Sequence, residues 1–244
     1  MCLLALAYQT VPGYPVVVAA NRDEFYDRAT EPPRPMAGNP WIVAGRDVKA
    51  GGTWLGVNRY GLVAALTNRH AGRAPNPDLP SRGQLCLDAL RETDAATAAE
   101  HTTARSRNSP QNPFNLLVAT PSAAWVLSDI DESPIPLKPG WHVIANQLID
   151  AVDDPRVRRA NTLIQNLSVD AIEALLPGLE DLCRDHGGQG NGGAEALCVH
   201  GDAAGTRSST IIAVAADGKP ALYRYADGPP CCVQYREITL PGSD

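Results

Sequence analysis

The sequence lacks an excess of positive charge and lacks long apolar runs. Its 244 residues include 21 Lys and Arg against 27 Asp and Glu, which gives a formal net charge of −6. A chain with this net negative charge lacks the excess of basic residues that binds nucleic acid or an anionic membrane surface. The apolar run at the amino end is too short for a transmembrane helix and has no signal-peptide features. We therefore predict a cytoplasmic protein with no nucleic-acid partner and no membrane span.

The signatures of several common enzyme and metal-site classes are also missing. The motifs HExxH, GxGxxG and GxSxG do not occur at a usable spacing, so zinc-protease, Rossmann and serine-hydrolase functions have no support. Six cysteines, at positions 2, 86, 183, 198, 231 and 232, show no metal-ligand spacing, and no two of the five histidines lie four residues apart. The sequence therefore predicts no metal site, no cofactor and, in a reducing compartment, free thiols.

What the sequence does contain is a cysteine directly after Met1. The Cys2 side chain is small enough that an aminopeptidase is expected to remove Met1, which would leave Cys2 with both a thiol and a free α-amine. The amine titrates near ~7.7 to 8 and the thiol near ~8.5, so the amine can take the thiol proton at neutral pH. A nucleophile and its general base would then share one residue. The alternative is a small buried hydrophobe that opens an apolar strand.

Two apolar segments at the amino end predict a β-hairpin. Residues 2–8 and 14–20 are strand-like and flank a loop that contains Pro and Gly, which favours antiparallel pairing. In this pairing the polar sequence Asn21-Arg22-Asp23-Glu24 emerges beside Cys2. Asp23 could then hold the α-ammonium group, and Arg22 could favour the thiolate.

Five short segments occur in an order typical of one protein family. They are Asn21-Arg22-Asp23-Glu24, Gly45-Arg46-Asp47 and residues 51–58, 61–68 and 205–210. Together they resemble the NRDE family, also called the transport and Golgi organisation protein 2 family, over nearly the whole chain. That family resembles cysteine-type N-terminal-nucleophile hydrolases, the penicillin V acylase and bile-salt hydrolase group. The resemblance implies one α+β domain over residues 1–244, folded as a four-layer αββα sandwich of two mostly antiparallel sheets.

The same resemblance implies catalytic roles for residues far from the hairpin. In the cysteine amidases an Asn at the end of the strand that corresponds to residues 62–67 donates its amide to the oxyanion, which assigns this role to Asn68. Asn68 could instead simply make a turn. Asn146, in a segment like the family's His-x-x-x-Asn, would help to hold substrate or oxyanion. Arg207 matches an Arg near the nucleophile, although a structural ion pair would also explain it.

The predicted site therefore includes residues of the hairpin and residues that the resemblance assigns. Its catalytic residues are Cys2, Asp23, Asn68, Asn146 and Arg207. Four further residues are predicted to bind substrate, and they are Asn21, Arg22, Glu24 and Trp54.

The remaining sequence predicts further strands and two pairs of helices. The helices are expected between residues 81 and 105 and between residues 154 and 183, where they would cover the outer faces of the sheets. Ser81 and Gln84 have the spacing of a capping box. Residues 25–40 contain four prolines and predict an irregular loop, whereas residues 196–200 predict a strand.

The predicted function is hydrolysis or acyl transfer at a carbon–nitrogen bond of a small, non-peptide amide. Cys2 would attack the carbonyl, and its α-amine would act first as base and then as acid. The alternative follows from the family's eukaryotic relatives, which are linked to secretory-pathway organisation and to lipid and haem handling. By that resemblance the chain would be a carrier or binding protein for lipid or haem. A retained Met1 would favour the alternative because it blocks the amine.

Overall fold

The computed structural model describes residues 2–72, 74–188 and 193–242. Within them, two antiparallel sheets run through the centre of the protein. The first sheet contains six strands, in the spatial order β10 (Gly140–Ile144), β1 (Cys2–Val11), β2 (Tyr14–Phe25), β11 (Ala204–Val214), β12 (Pro220–Ala226) and β13 (Arg236–Glu237). The second contains seven, in the order β3 (Thr30–Met36), β4 (Ile42–Asp47), β5 (Leu55–Asn58), β6 (Val63–Asn68), β7 (Phe114–Ala119), β8 (Ala124–Ser128) and β9 (Ile135–Pro136).

Four helices in the described part of the chain form the two outer layers. They are α1 (Arg82–Ala89), α2 (Ala95–Asn108), α3 (Pro155–Ile164) and α4 (Ile172–Arg184). One hydrophobic cluster joins α3 and α4 to the first sheet, a second fills the space between the sheets, and a third joins α1 and α2 to the second sheet. These three apolar layers confirm the predicted αββα sandwich, because each element buries its apolar face against the next.

Strand β1 is buried on both faces, so its alternating side chains divide between two apolar layers. Leu3 and Ala5 pack in the cluster beneath α3 and α4, whereas Leu4 and Leu6 pack in the cluster between the sheets. Cys2 is in phase with the second pair. Its side chain is therefore directed towards the space between the sheets, at the end of the strand.

The hairpin of β5 and β6 is held against the helix layer by one fully buried side chain. Asn58 donates from Nδ2 to the carbonyls of Leu90 and Glu92 at 2.9 and 2.7 Å. Its Oδ1 accepts from the backbone N–H groups of Tyr60 and Leu62 at 2.9 and 3.1 Å. All four of these polar contacts are made inside the protein, which fixes the turn that precedes β6.

The prediction of an irregular loop over residues 25–40 is wrong, because β3 occupies part of it. β3 is an edge strand of the second sheet, and it pairs only with β4 within the described residues. Its register shifts between Glu31 and Arg34, where Pro32 and Pro33 lie. Prolines are tolerated in an edge strand and at a bulge, since neither position requires every N–H group for a neighbouring strand.

The predicted strand over residues 196–200 is also absent from the structure. His200 makes only an isolated bridge with Gly205. The N–H groups of Leu197 and Cys198 instead donate to the carbonyl of Asp185, at 3.0 and 2.8 Å. This segment is therefore held by the end of α4 rather than by a sheet.

The helix pairs are confirmed, but the predicted capping box at α1 does not form. Asp94 accepts a hydrogen bond from the N–H of Thr97 and so caps α2. Ser81 makes no side-chain cap at α1, and the Gln84 side chain donates to Asp88 instead of completing a capping box. The Gln84 side chain therefore pairs with a residue four positions later in α1 and does not cap the start of the helix.

Candidate active site

A cleft of about 420 Å³ opens between the sheets beside the first residue of β1. Six of the nine predicted site residues line it, and they are Cys2, Arg22, Asp23, Glu24, Trp54 and Asn68. Most of them come together because β1 begins, β2 runs through and β6 ends at this end of the sandwich. Three predicted residues, Asn21, Asn146 and Arg207, do not line the cleft.

The β1–β2 register sets Cys2 opposite a basic residue. Cys2 pairs with Arg22 in the antiparallel ladder, and directly paired side chains lie on the same face of a sheet. Cys2 is half-buried and free of any disulfide. A thiol in this position has both access to a ligand in the cleft and a nearby positive charge.

Arg22 is held as a rigid wall of the cleft. Its guanidinium carbon lies 4.2 Å from the centre of the Trp54 ring, a cation–π contact. Its Nη1 donates to Thr30 Oγ1 at 3.0 Å, and Nη2 lies 3.8 Å from Asp47. Burial lowers the pKa of Arg22, while nearby Cys2, Glu24 and Asp47 act in the opposite direction. The contact with Trp54 makes the ring a support for Arg22.

Asp23 follows Arg22 in β2, so its side chain lies on the opposite face of the strand, where a buried ion pair with Arg156 fixes it. Its Oδ1 accepts from Thr206 Oγ1 at 2.7 Å, and its Oδ2 accepts from Arg156 Nη2 at 2.9 Å. The two charged side chains are only 4% and 7% exposed. Asp23 therefore has its carboxylate oriented by α3 and β11 before any ligand binds.

Asn146 lies behind Asn68 and holds it in place. Its Nδ2 donates to the Asn68 carbonyl at 2.7 Å, and its own carbonyl accepts from the His70 N–H at 2.7 Å. Asn68 ends β6 and lines the cleft. This hydrogen bond gives Asn146 a position from which it orients Asn68. Its predicted role in holding substrate or oxyanion stays a prediction.

Asn21 and Arg207 lie outside the wall of the cleft. The Asn21 side chain donates to the carbonyls of Cys183 and Leu197 at 2.8 and 2.9 Å, so it joins β2 to α4 and to the following segment. Arg207 occupies the irregularity where the β11–β2 register shifts. Its Nε is buried and has no hydrogen-bond partner among the described residues. Neither geometry indicates direct contact with a ligand in this cleft.

Arg82 is a cleft residue that sequence reasoning missed. It is the first residue of α1, and its Nη1 donates to the Pro113 carbonyl at 2.9 Å. Burial lowers the pKa of Arg82, and the foremost influence in the opposite direction comes from nearby Cys2. No carboxylate of the described residues forms an ion pair with it. The local sequence gives no signal for this role, because only the fold brings the start of α1 beside Cys2.

The sequence is similar to that of one known protein family. Residues 1–224 match the family model described as Transport and Golgi organisation 2. The chain belongs to this family. Two mammalian members of the Transport and Golgi organisation 2 family are close in sequence. The human homolog is 31% identical over 257 residues, covering 89% of this chain and 90% of that protein. The bovine homolog is 30% identical over 251 residues with the same two coverages.

Solved structures with the same fold extend the comparison to enzymes. Penicillin V acylase from Agrobacterium tumefaciens superposes with a TM-score of 0.56 at 14% identity, over 93% of this chain and 83% of that chain. The Caenorhabditis elegans ortholog of N-acylethanolamine-hydrolyzing acid amidase gives 0.57 at 15% identity, over 89% and 93%. This likeness shows that a Transport and Golgi organisation 2 protein has an amidohydrolase-like fold, as the sequence resemblance implies. Among the described residues, no helix is long and apolar enough to span a membrane.

Proposed function

We propose that this protein is an amidohydrolase whose nucleophile is an amino-terminal Cys2, acting on a small non-peptide amide. The observation that carries the proposal is the position of Cys2. It begins a central strand and faces a ligand-sized cleft, directly opposite Arg22 and in the same cavity wall as Asn68. The fold shared with penicillin V acylase supports the same chemistry.

The reaction would begin after removal of Met1. The free α-amine of Cys2 takes the thiol proton, and the sulfur attacks the amide carbonyl carbon. The side-chain amide of Asn68 donates to the developing oxyanion, a contact worth roughly 3 kcal/mol of barrier. The carbon–nitrogen bond then breaks as the α-ammonium protonates the leaving amine, which leaves a thioester on Cys2. Water attacks the thioester carbonyl carbon and gives a proton to the α-amine. The carbon–sulfur bond then breaks, the acid leaves, and the α-ammonium returns the proton to the Cys2 sulfur.

The surrounding charges would prepare Cys2 for this sequence of steps. Arg22, held against Trp54, favours the thiolate because an adjacent positive charge stabilises it. Asp23 orients the α-ammonium, and its pair with Arg156 prevents it from turning away. Asn146 keeps Asn68 in position. Arg207 adds a half-buried positive charge on β11, the strand beside β2, and Glu24 completes the acidic side of the cleft.

We infer further that the substrate carries a carboxylate. The acidic side chains of the cleft are already engaged: Asp47 accepts a bidentate pair from Arg28, and Glu24 lies 4.0 Å from Arg22. Arg82 and Lys49 line the same cleft, and neither forms an ion pair with a described carboxylate. Two positive charges that no carboxylate of the described residues neutralises favour an anionic ligand, because such a ligand would supply the missing negative charge.

The carrier alternative fits this cleft less well. A carrier for a lipid chain needs a predominantly apolar cavity. Seven charged side chains line this one, at positions 22, 23, 24, 28, 47, 49 and 82. That composition supports a charged small molecule. We expect the activity in the cytoplasm, where a reducing environment keeps Cys2 as a thiol.

The substrate class is tested with paired N-acyl amides that differ only in a free carboxylate or its methyl ester. The wild-type protein is expected to hydrolyse the carboxylate form with the higher kcat/KM. Arg82→Gln should lower kcat/KM for that form ~10- to 100-fold, the loss expected for one charge-assisted contact. It should change kcat/KM for the ester less than ~3-fold. The readout is release of the free amine.

A matched control is Arg91→Gln, since Arg91 is an exposed arginine that follows the same helix and pairs with Asp88. Its kinetics should equal those of the wild type. An equal loss on both substrates in Arg82→Gln would contradict the anionic class but keep the amidase. Failure of the wild type to hydrolyse either member across a series of acyl lengths would contradict the amidase itself.

A further inference from the structure

Four potential metal ligands meet on the side of the first sheet that carries α4, outside the residues that line the cleft. His186, Cys198, His200 and Cys231 each offer one ligand atom, and these atoms all lie within 4.8 Å of one another. The two sulfurs are 3.7 Å apart. His200 Nε2 lies 3.2 Å from Cys231 Sγ and 3.8 Å from Cys198 Sγ. None of these side chains takes part in the proposed hydrolysis.

These separations resemble the edges of a tetrahedral zinc site. Zinc–sulfur bonds of about 2.3 Å and zinc–nitrogen bonds of about 2.0 to 2.1 Å place two sulfurs about 3.8 Å apart and a sulfur and a nitrogen about 3.6 Å apart. The observed sulfur–sulfur separation of 3.7 Å agrees with the first edge, and the two sulfur–nitrogen separations of 3.2 and 3.8 Å bracket the second. A small adjustment of side-chain angles would accommodate the ion.

The ligands are also supported from behind, as a metal site requires. His186 Nδ1 lies 3.1 Å from the Cys198 carbonyl. Donation from Nδ1 to that carbonyl leaves the other ring nitrogen without a proton and available to a metal, the arrangement usual for metal-bound histidine. The N–H groups of Cys198 and Val199 donate to the Asp185 carbonyl and to Thr206 Oγ1 at 2.8 and 2.9 Å. The backbone that carries two of the four ligands is therefore fixed.

The ligands come from three segments that are separated along the chain. His186 follows α4, Cys198 and His200 precede β11, and Cys231 follows β12. His186 and Cys198 are 12 residues apart, and Cys198 and Cys231 are 33 apart. These irregular spacings explain why the sequence predicts no metal site. An ion bound here would cross-link three segments and stabilise their common arrangement.

We propose that His186, Cys198, His200 and Cys231 form a structural site for zinc or a metal ion of similar softness. Two sulfurs and two imidazoles are the donor set of closed, four-coordinate zinc sites, which leave no position for a substrate. Binding releases the two thiol protons to solvent and forms two metal–sulfur and two metal–nitrogen bonds.

The site would also support the proposed active site from behind. It fixes the segment that contains Leu197, and the Leu197 carbonyl accepts from Asn21 Nδ2 at 2.9 Å and from Arg156 Nη2 at 3.2 Å. Arg156 in turn holds Asp23. Loss of the ion should therefore lower the thermal stability of the protein even when no substrate is present.

The test is metal binding by the full-length protein, purified under reducing conditions. We expect about one zinc per chain by elemental analysis. We also expect the metal-free protein to bind one equivalent of Co²⁺, with thiolate-to-cobalt charge transfer and the strong visible bands of a tetrahedral ion. Cys198→Ser and His200→Ala should each lower the Co²⁺ affinity at least ~100-fold, because loss of a ligand exceeds the usual effect of losing a supporting contact. A chelator should lower the Tm of the wild type but not that of these two ligand variants.

Cys232→Ser is the matched control, because this thiol is exposed and adjacent to Cys231 but is not one of the four ligands. It should bind Co²⁺ as the wild type does. His200→Ala keeps the test decisive if the buried Cys198→Ser variant fails to fold. The proposal is overturned if the reduced wild type takes up no Co²⁺, including the case in which a disulfide between Cys198 and Cys231 has first been reduced. It is also overturned if both ligand variants bind Co²⁺ as tightly as the wild type. None of these outcomes depends on the proposed hydrolysis.

Discussion

Replacing Cys2 with Ser is expected to lower kcat/KM for amide hydrolysis by at least ~1000-fold. The hydroxyl of Ser is a far weaker acid than a thiol, so the α-amine activates it much less effectively at neutral pH. Arg22 and Asn68 would remain in place, and substrate should still bind. The measurement is amine release, together with a binding isotherm for the same substrate on Cys2→Ala. We expect unchanged affinity with no turnover.

Cys232→Ser is again the matched control, because it removes an exposed thiol far along the chain from Cys2. Its rate should equal that of the wild type. Full activity in Cys2→Ser would contradict the nucleophile. Loss of binding as well as turnover in Cys2→Ala, with a normal melting curve, would show that the side chain serves binding rather than chemistry.

Asp23→Asn is expected to have the second largest effect, and the effect has two parts. The variant removes the charge that orients the α-ammonium, so kcat should fall ~100-fold or more. It also leaves Arg156 buried without a carboxylate, since that pair is only 4% and 7% exposed. Breaking a buried pair costs about 3 to 5 kcal/mol of unfolding free energy. The measurements are steady-state kinetics and urea unfolding.

A double variant separates the two parts. Combining Asp23→Asn with Arg156→Met removes both charges, and the unfolding free energy should recover to within ~2 kcal/mol of the wild type. Activity should not recover, because the α-ammonium remains without its carboxylate. Asp27→Asn, an exposed neighbour on the same segment, should leave both quantities unchanged. Recovery of activity in the double variant would show that Asp23 serves only to neutralise Arg156.

The part of the fold nearest Cys2 could be predicted because local pattern and tertiary structure agree there. The β1–β2 pairing follows from two apolar runs around a Pro-Gly loop, and the observed register sets Cys2 opposite Arg22. The end of β6 at Asn68 follows from the next hairpin in the same way. Hairpins depend on residues close in sequence, so turn chemistry is enough to specify them.

Features that depend on distant contacts could not be predicted in this way. β3 forms despite its prolines because an edge strand and a bulge accommodate them. Arg82 reaches the cleft because α1 packs on the outer face of the second sheet, close to the end of β6. Asn146 contacts Asn68 because the chain that follows β10 meets the end of β6 at that point. For Arg82 and Asn146 the residue type is visible in the sequence, but the neighbouring residue comes from another layer.

The central claim is that Cys2, freed of Met1, carries the acyl group during turnover. The most direct test is the intact mass of the protein before substrate is added and after acid quenching during hydrolysis, with the modified peptide then identified. We expect a chain that lacks Met1, and an added mass of one acyl group on a peptide that begins with Cys2. Cys2→Ser should show neither the thioester nor turnover. A protein that retains Met1 and hydrolyses the amide at the same rate, or that turns over with the acyl group absent from Cys2, would contradict the account.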